Sequence, residues 1–456
     1  MQNNSYGEVL RNPGFLNLWV NQILVQFAYN SLNFALIIWV FYLTDSNTAI
    51  AALLSMVYLP ALIFGIFSGV FVDMIDRKKI IILLDLLLTL SFISLIFLKD
   101  YYPAVLLLTF IINSLVQFYL PAESSALPIT VKNKHLLFLA NSLFSTTFFS
   151  MFLIGFGFSG PIISLFGIDF IFGIGAGTMF LAFVLANRFP SITTKPDQDT
   201  KKLKNALINI NPKEILKVAT VEIKQTINMI KGKLALVSAL FILAGVQAVV
   251  GVLAVLLPSF LEKILQISAT DASYIVIFPL GIGMVLGALI IGRIGQHYAR
   301  RSLVARAVIM AGLILFLFGI APLVSPAIQH FHTPKAVSFF KQPSLSSIMV
   351  VGSFLLGLAV VSIIIPAQTV LQVNTPEEDR GKVFGVLLAL MSGVSLVPIL
   401  LAGIFSDLLG TVPIVIFMGG AITLLGLLIL RPEFFFEESH LPFNFREFLG
   451  LGHWKN

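Results

Sequence analysis

The residues of this sequence best suited to chemistry are amides and a few carboxyls, set at helical spacing inside long apolar runs. Gln22, Gln26, Asn30 and Asn33 fall in one run, Asn113 and Gln117 in a second, Gln247 in a third, and Gln368 and Gln372 in a fourth. Members four apart share one face of a helix. An amide without a partner in hydrocarbon costs several kcal/mol, so these faces turn toward protein or water. Any single amide can simply bridge two helices, a bond worth about 0.6 kcal/mol. Their recurrence in four runs favours a shared polar stripe. Asp85 and Glu123 are the ionisable residues that stand out, because a charge inside such a run is expensive and defaults to function. Asp85 either pairs with Arg77 or Lys79 or titrates. Glu123 either pairs with Lys132 or Lys134 or carries a proton, an acid's affinity for which rises on desolvation.

Other chemistries lack their minimum parts. The chain has no cysteine, which removes disulfides, thiolate metal sites and thiol nucleophiles. No H-E-x-x-H, G-x-S-x-G or phosphate-binding P-loop is present, so metal hydrolysis, serine catalysis and ATP hydrolysis are not expected, and neither is a cofactor. Gly155, Gly157 and Gly160 spell G-x-G-x-x-G, but inside an apolar run, where no strand leads into a helix to cradle a phosphate. His330 and His332 have no carboxylate or further histidine beside them, so a solvated loop is the reading there and no metal is expected.

The elements that must hold these residues are membrane helices. Of 456 residues 57% are hydrophobic and 11% charged, less than half the charged share of about 25% in soluble domains. Runs such as 80–98 and 234–257 are continuously apolar rather than alternating, which favours helices over a barrel. At about 20 residues per crossing the length accommodates about twelve spans. They are expected near 14–43, 48–72, 80–98, 103–126, 137–166, 168–187, 234–261, 270–292, 303–324, 347–373, 383–409 and 411–430. The first run, from Phe15 to Phe41, is too long for a signal-peptide core and is expected to stay in the mature protein.

Alternating the connecting loops puts all but four of the 29 Lys and Arg residues on one side, the exceptions being Lys99, Lys263, Lys335 and Lys341. Both termini are therefore expected in the cytoplasm, in a multi-pass protein of the plasma (inner) membrane. The net charge of +7 marks topology and not a nucleic-acid partner. The expected domains are a six-helix bundle over 1–187, a linker over 188–233, a second six-helix bundle over 234–430 and a cytoplasmic tail over 431–456. In the linker, Ile215, Ala219, Ile223, Ile227 and Ile230 recur at helical spacing, with Lys213, Lys217, Lys224 and Lys231 largely elsewhere on the wheel. That pattern reads as an amphipathic helix on anionic lipid headgroups.

The two bundles carry matching landmarks. Gly69, Arg77 and Lys78 align with Gly292, Arg300 and Arg301 at a single offset, with Asp73 answered by Gln296, and Pro121 and Ala122 correspond to Pro366 and Ala367. Gly69 permits close helix approach, Asp73 can accept from a neighbouring helix N-terminus, and Arg77 can reach carboxylates. Such a cluster would hold one access state shut.

With these residues in view, the chain resembles the major facilitator superfamily over nearly its whole length. Gly69, Asp73, Arg77 and Lys78 match its G-x-x-x-D-x-x-x-R-[KR] signature between spans two and three. Arg11 to Trp19, Pro121 to Pro128, Ala140 and Asn141, and Arg380 to Val383 resemble its drug-efflux and secretion-effector branch, which is similar to macrolide, siderophore and lysophospholipid exporters. Gly155, Gly160 and Pro161 resemble the antiporter motif that bends span five, with Ser164 and Leu165 where a glycine pair is usual.

The resemblance implies an all-α membrane fold of twelve helices in two pseudo-symmetric bundles. It also implies that spans one, four, seven and ten line a cavity, with Asn30, Asn33, Asn113, Gln117, Gln247, Gln368 and Gln372 as substrate contacts. Gly69, Asp73, Arg77, Lys78, Arg300 and Arg301 are then gate residues, and Glu123 and Asp85 the coupling candidates. Asn30 stands where several efflux relatives have an acid. The function expected is export of a bulky, amphipathic small molecule by a monomer exchanging substrate against protons among membrane lipids. A lipid or lysophospholipid flippase and a non-transporting scaffold or receptor are the alternatives.

Overall fold

A backbone crossing hydrocarbon must satisfy its own N–H and C=O groups, and long apolar runs do so as helices. The computed structural model describes residues 6–73, 75–131, 133–189, 234–294, 300–330, 345–374 and 380–430. The helices are α1 (Tyr6–Leu10), α2 (Pro13–Thr44), α3 (Asn47–Asp73), α4 (Arg77–Leu98), α5 (Tyr102–Thr130), α6 (Lys134–Phe166), α7 (Ile168–Ala186), α8 (Leu234–Ser259), α9 (Phe278–Ile294), α10 (Arg300–His330), α11 (Leu345–Asn374), α12 (Arg380–Leu409) and α13 (Thr411–Leu430). Among the described residues, 12 spans are long and apolar enough to cross a membrane, and no strand occurs. The linker helix and the tail expected from the sequence lie outside the described residues, as does the loop after His330.

Local sequence explains how helices start. Asn12 accepts from the N–H groups of Gly14 (3.0 Å) and Phe15 (3.2 Å), and Pro13 opens α2 where an N–H would be orphaned anyway. The same Asn12 donates to Thr130 O at the end of α5, 3.1 Å away. Asp76 caps α4 by accepting from Lys78 N at 2.9 Å. One expectation needs refinement: spans seven and eight are not uniform α-helix. A π turn, Phe260–Ile264, closes the first, while a 3-10 turn, Ala269–Asp271, and a π turn, Ser273–Ile277, open the second. Pro258 and Pro279, each without the N–H of a regular helix residue, stand beside these widened turns.

By contacts the chain forms two compact units. One comprises Met1–Leu43, Ala52–Ile227 and Phe384–Gly393, the other Thr44–Ala51, Asn228–Val383 and Val394–Asn456. In the first, α4 packs on α5 and α7, and α6 on α7. Trp39 Nε1 donates to Lys99 O (2.9 Å), the Lys99 ammonium lies over the Trp39 ring, and Lys99 pairs with Asp169 at the start of α7. In the second, α10 packs on α13 and α11, and α11 also on α8 and α9. Spans three and six thus pair in one unit as spans nine and twelve do in the other, the signature of a duplicated bundle.

Glycine sets the closest approach in the second unit. A Cβ on Gly357 of α11 would lie 2.0 Å from Leu280 O, and one on Gly283 of α9 would lie 2.0 Å from Phe354 O. In the same unit Asp407, near the end of α12, caps the first turn of α3. It accepts from Ser46 Oγ (2.7 Å), Asn47 N (2.9 Å) and Thr48 N (2.9 Å), and Lys263 pairs with Asp45 at 2.8 Å one residue upstream.

Candidate functional site

The first unit holds a buried polar cluster contributed by four helices. Asn21 of α2 donates both amide hydrogens, one to Asp85 Oδ2 of α4 and one to Ala182 O of α7, each at 2.9 Å. Its Oδ1 accepts the hydroxyl of Tyr119 on α5 at 2.6 Å, and that hydroxyl also lies 3.2 Å from Glu123 Oε1 one turn further along α5. Relative exposure is 0% for Asn21 and Asp85, 1% for Tyr119 and 4% for Glu123. Among the described residues neither carboxyl makes a salt bridge, and Asp85 Oδ1 has no hydrogen-bond partner. Asp85 therefore joins to Asn21 in place of the Arg77 or Lys79 pairing considered from sequence. For Glu123, Lys132 lies outside the described residues, as does the side chain of Lys134.

The amide stripe continues along α2 and α5 within the same unit. Tyr29 donates to Asn113 Oδ1 at 2.7 Å, while Asn113 Nδ2 turns back to Thr109 O at 2.8 Å. Asn30 Nδ2 donates to Gln26 O (2.7 Å) and Asn33 Nδ2 to Tyr29 O (2.9 Å), so both place an amide hydrogen on their own helix. Gln22 Nε2 reaches Phe144 O on α6 at 3.3 Å, and its Oε1 is buried with no hydrogen-bond partner among the described residues. Gln117 is half-buried. In the second unit Gln247 is half-buried and Gln368 exposed, while the side chain of Gln372 lies outside the described residues.

The glycine motif of span five meets this stripe. A Cβ on Gly155 would come 2.6 Å from Asn30 Cβ and 3.1 Å from Ser31 N, so α6 lies directly against α2 at the amides. Ser31 and Ser159 both donate to the Gly155 carbonyl. Gly160 is buried beyond it and Pro161 half-buried. Of the gate residues, Arg77 is buried at the start of α4, Lys78 is half-buried, and the surroundings of Gly69 and the side chains of Asp73, Arg300 and Arg301 lie outside what the structure describes. Asn21 and Tyr119 were not singled out from sequence. Tyr119 had a signal, four residues before Glu123 and so on its face. Asn21 had none, since it sits about 100° around the helix from Gln22.

A membrane protein whose described residues form two six-helix bundles, with buried uncharged amides and carboxyls that make no salt bridge among those residues, has the architecture of a transporter. The sequence profile of the Major Facilitator Superfamily matches residues 18–340 and 239–446, and the chain belongs to that family. Macrolide efflux protein A of Streptococcus pyogenes is 25% identical over 408 residues, 87% of this chain and 90% of that protein. An uncharacterized MFS-type transporter of Bacillus subtilis is 24% identical over 374 residues, 82% of this chain and 81% of that one. Among solved structures, the peptide transporter POT in complex with sulfate has a TM-score of 0.69 at 13% identity, covering 94% of this chain and 98% of that one. The nucleoside transporter NupG has a TM-score of 0.62 at 14% identity, covering 93% and 99%. Likeness at that identity extends to the fold.

Proposed function

We propose that this transporter exports bulky amphipathic small molecules, of which macrolides are one class, against protons moving the other way by alternating access. The observation that carries the reading is the pair Asp85 and Glu123. Among the described residues they are buried in one bundle without a salt bridge and are joined through Asn21 and Tyr119, so that a proton can be held or released there without breaking an ion pair among those residues. The efflux relative supports the substrate class and the direction. Asn30, Asn33, Asn113 and Gln117 are the proposed substrate contacts of the first unit, and Gln247, Gln368 and Gln372 the corresponding candidates of the second. Gly69, Asp73, Arg77 and Lys78, with Arg300 and Arg301, are the proposed gate, and Gly155, Gly160 and Pro161 the helix bend. In this reading the protein works as a monomer in the plasma membrane with both termini cytoplasmic.

Everted membrane vesicles offered dyes, macrolides, siderophores and lysolipids test this reading. Uptake of a macrolide or dye that stops when an uncoupler is added is the expected result. Lysolipid movement indifferent to the uncoupler, with no uptake of the others, would replace the exporter with a flippase.

A further inference from the structure

We propose that Tyr119 and Asn21 are positioning residues that turn the presence of a proton on Glu123 into a clamp on α2, the helix that carries the amide stripe. The inference rests on the coupling role of Glu123 and deepens it.

Ala182 O is a carbonyl and can only accept, so it fixes the orientation of the Asn21 amide, with the nitrogen toward α7 and Asp85 and the oxygen toward Tyr119. Both hydrogens of that nitrogen are then spent. Asn21 Oδ1 has no hydrogen of its own, so the 2.6 Å contact with Tyr119 exists only if the phenol donates across it. A phenol has one hydrogen. The 3.2 Å contact between the Tyr119 oxygen and Glu123 Oε1 therefore needs a hydrogen from Glu123. The relay inferred from these distances runs from a protonated Glu123 donating to Tyr119, through Tyr119 donating to Asn21, to Asn21 donating to Asp85 and Ala182.

When Glu123 gives up its proton to water on the accessible side, an ionised acceptor stands beside the phenol in place of a donor. A hydrogen bond to a charged group is about twice as strong as a neutral one. The Tyr119 hydroxyl turns about its Cζ–Oη bond and donates to the carboxylate instead. No covalent bond of Tyr119 or Asn21 changes. The oxygen lone pairs of Tyr119 and Asn21 then face each other at what was a 2.6 Å contact, which is repulsive, and α2 is released from α5 at this point while Tyr29 still holds Asn113 further along. Helix α2 carries Gln22, Gln26, Asn30 and Asn33, so the release reaches the amides, and through Gly155 against Asn30 it reaches α6.

Asp85, which accepts from Asn21, is the titratable group beside this relay, and among the described residues few other charges intervene. Helix α2 has no Asp, Glu, Lys, Arg or His. Glu123 is the one such residue on α5. On α4, Arg77, Lys78 and Lys79 stand about two turns before Asp85, and on α7 Asp169 is taken up by Lys99 at the far end. On α6 the ionisable residues are Lys134 and His135, at its start.

Trp19, two residues before Asn21, reports on α2, because its Nε1 donates to Thr147 Oγ1 of α6 at 2.7 Å. In the full-length chain with Trp39→Phe and Trp454→Phe, Trp19 is the last of the three tryptophans. Its fluorescence in proteoliposomes, followed against pH without substrate, is expected to show one sigmoidal change. Tyr119→Phe keeps the ring and removes the relaying hydroxyl, and Asn21→Leu keeps the volume and removes the amide. Each is expected to flatten the curve, as is Glu123→Gln. If Glu123→Gln flattens the curve while Tyr119→Phe and Asn21→Leu titrate like the parent, the relay is overturned and the coupling role of Glu123 stands. If all three titrate like the parent, or the parent does not titrate, the relay is overturned, and proton coupling is then decided by the uncoupler experiment alone.

Discussion

Glu123→Gln is expected to hold the substrate and fail to accumulate it. The glutamine nearly matches the shape of a protonated glutamate and supplies an N–H where the acid supplies O–H, so it can keep donating to Tyr119 whatever the pH. The clamp on α2 then has no released form, and substrate movement no longer draws on the proton gradient. A tenfold accumulation represents about 1.4 kcal/mol per substrate molecule, and the variant is expected to reach a ratio of one. Binding, followed by quenching or by equilibrium dialysis with a macrolide, is expected to change little, because Glu123 is proposed as a proton site and the amides as the substrate contacts. Full gradient-driven accumulation by Glu123→Gln would remove it from the coupling path.

The second large effect falls on folding. Gly357→Val drives a side chain into a space where its Cβ would lie 2.0 Å from Leu280 O, and Gly283 faces Phe354 O at the same distance from the other helix. Both obstacles are main-chain carbonyls inside helices and cannot rotate aside as a side chain could. Membrane helices without a hydrophobic force between them depend on such small-residue seams for packing. The cost is expected at the upper end for single substitutions, about 4 kcal/mol or more. It is read as loss of the monodisperse peak and a collapse of Tm in detergent. Gly245→Ala, where an added Cβ meets nothing within 4 Å, is the matched control and is expected to behave as the parent. Equal Tm for Gly357→Val and the parent would mean that α9 and α11 do not approach as described.

These two effects differ in how far the sequence announced them. Hydropathy is a one-dimensional quantity, and the spans it marked near 14–43, 80–98 and 411–430 correspond closely to Pro13–Thr44, Arg77–Leu98 and Thr411–Leu430. The landmarks of the duplication were also visible, because glycine, proline and paired cations are rare enough to align. Helix rotation is not one-dimensional. Asp85 looked free to reach back to Arg77, and only the packing of α4 on α7, with α2 beside them, turns it to Asn21 instead. Asn21 itself lies off the Gln22, Gln26 and Asn33 spacing, so a search for one polar face passes over it. The widened turns around Pro258 and Pro279 were hidden for a similar reason: apolar composition is the same whether a turn is α or π. The cap that Asp407 gives α3 joins residues 360 apart in the chain, a distance no local pattern spans.

Substrate and proton are proposed to exchange through one machine. Proteoliposomes holding a pH-sensitive dye, given an erythromycin gradient and no ion gradient, measure that exchange in reverse. The predicted result is proton movement opposite to erythromycin in the wild type and none in Glu123→Gln. Erythromycin crossing through the wild-type protein with the internal pH unchanged would contradict it.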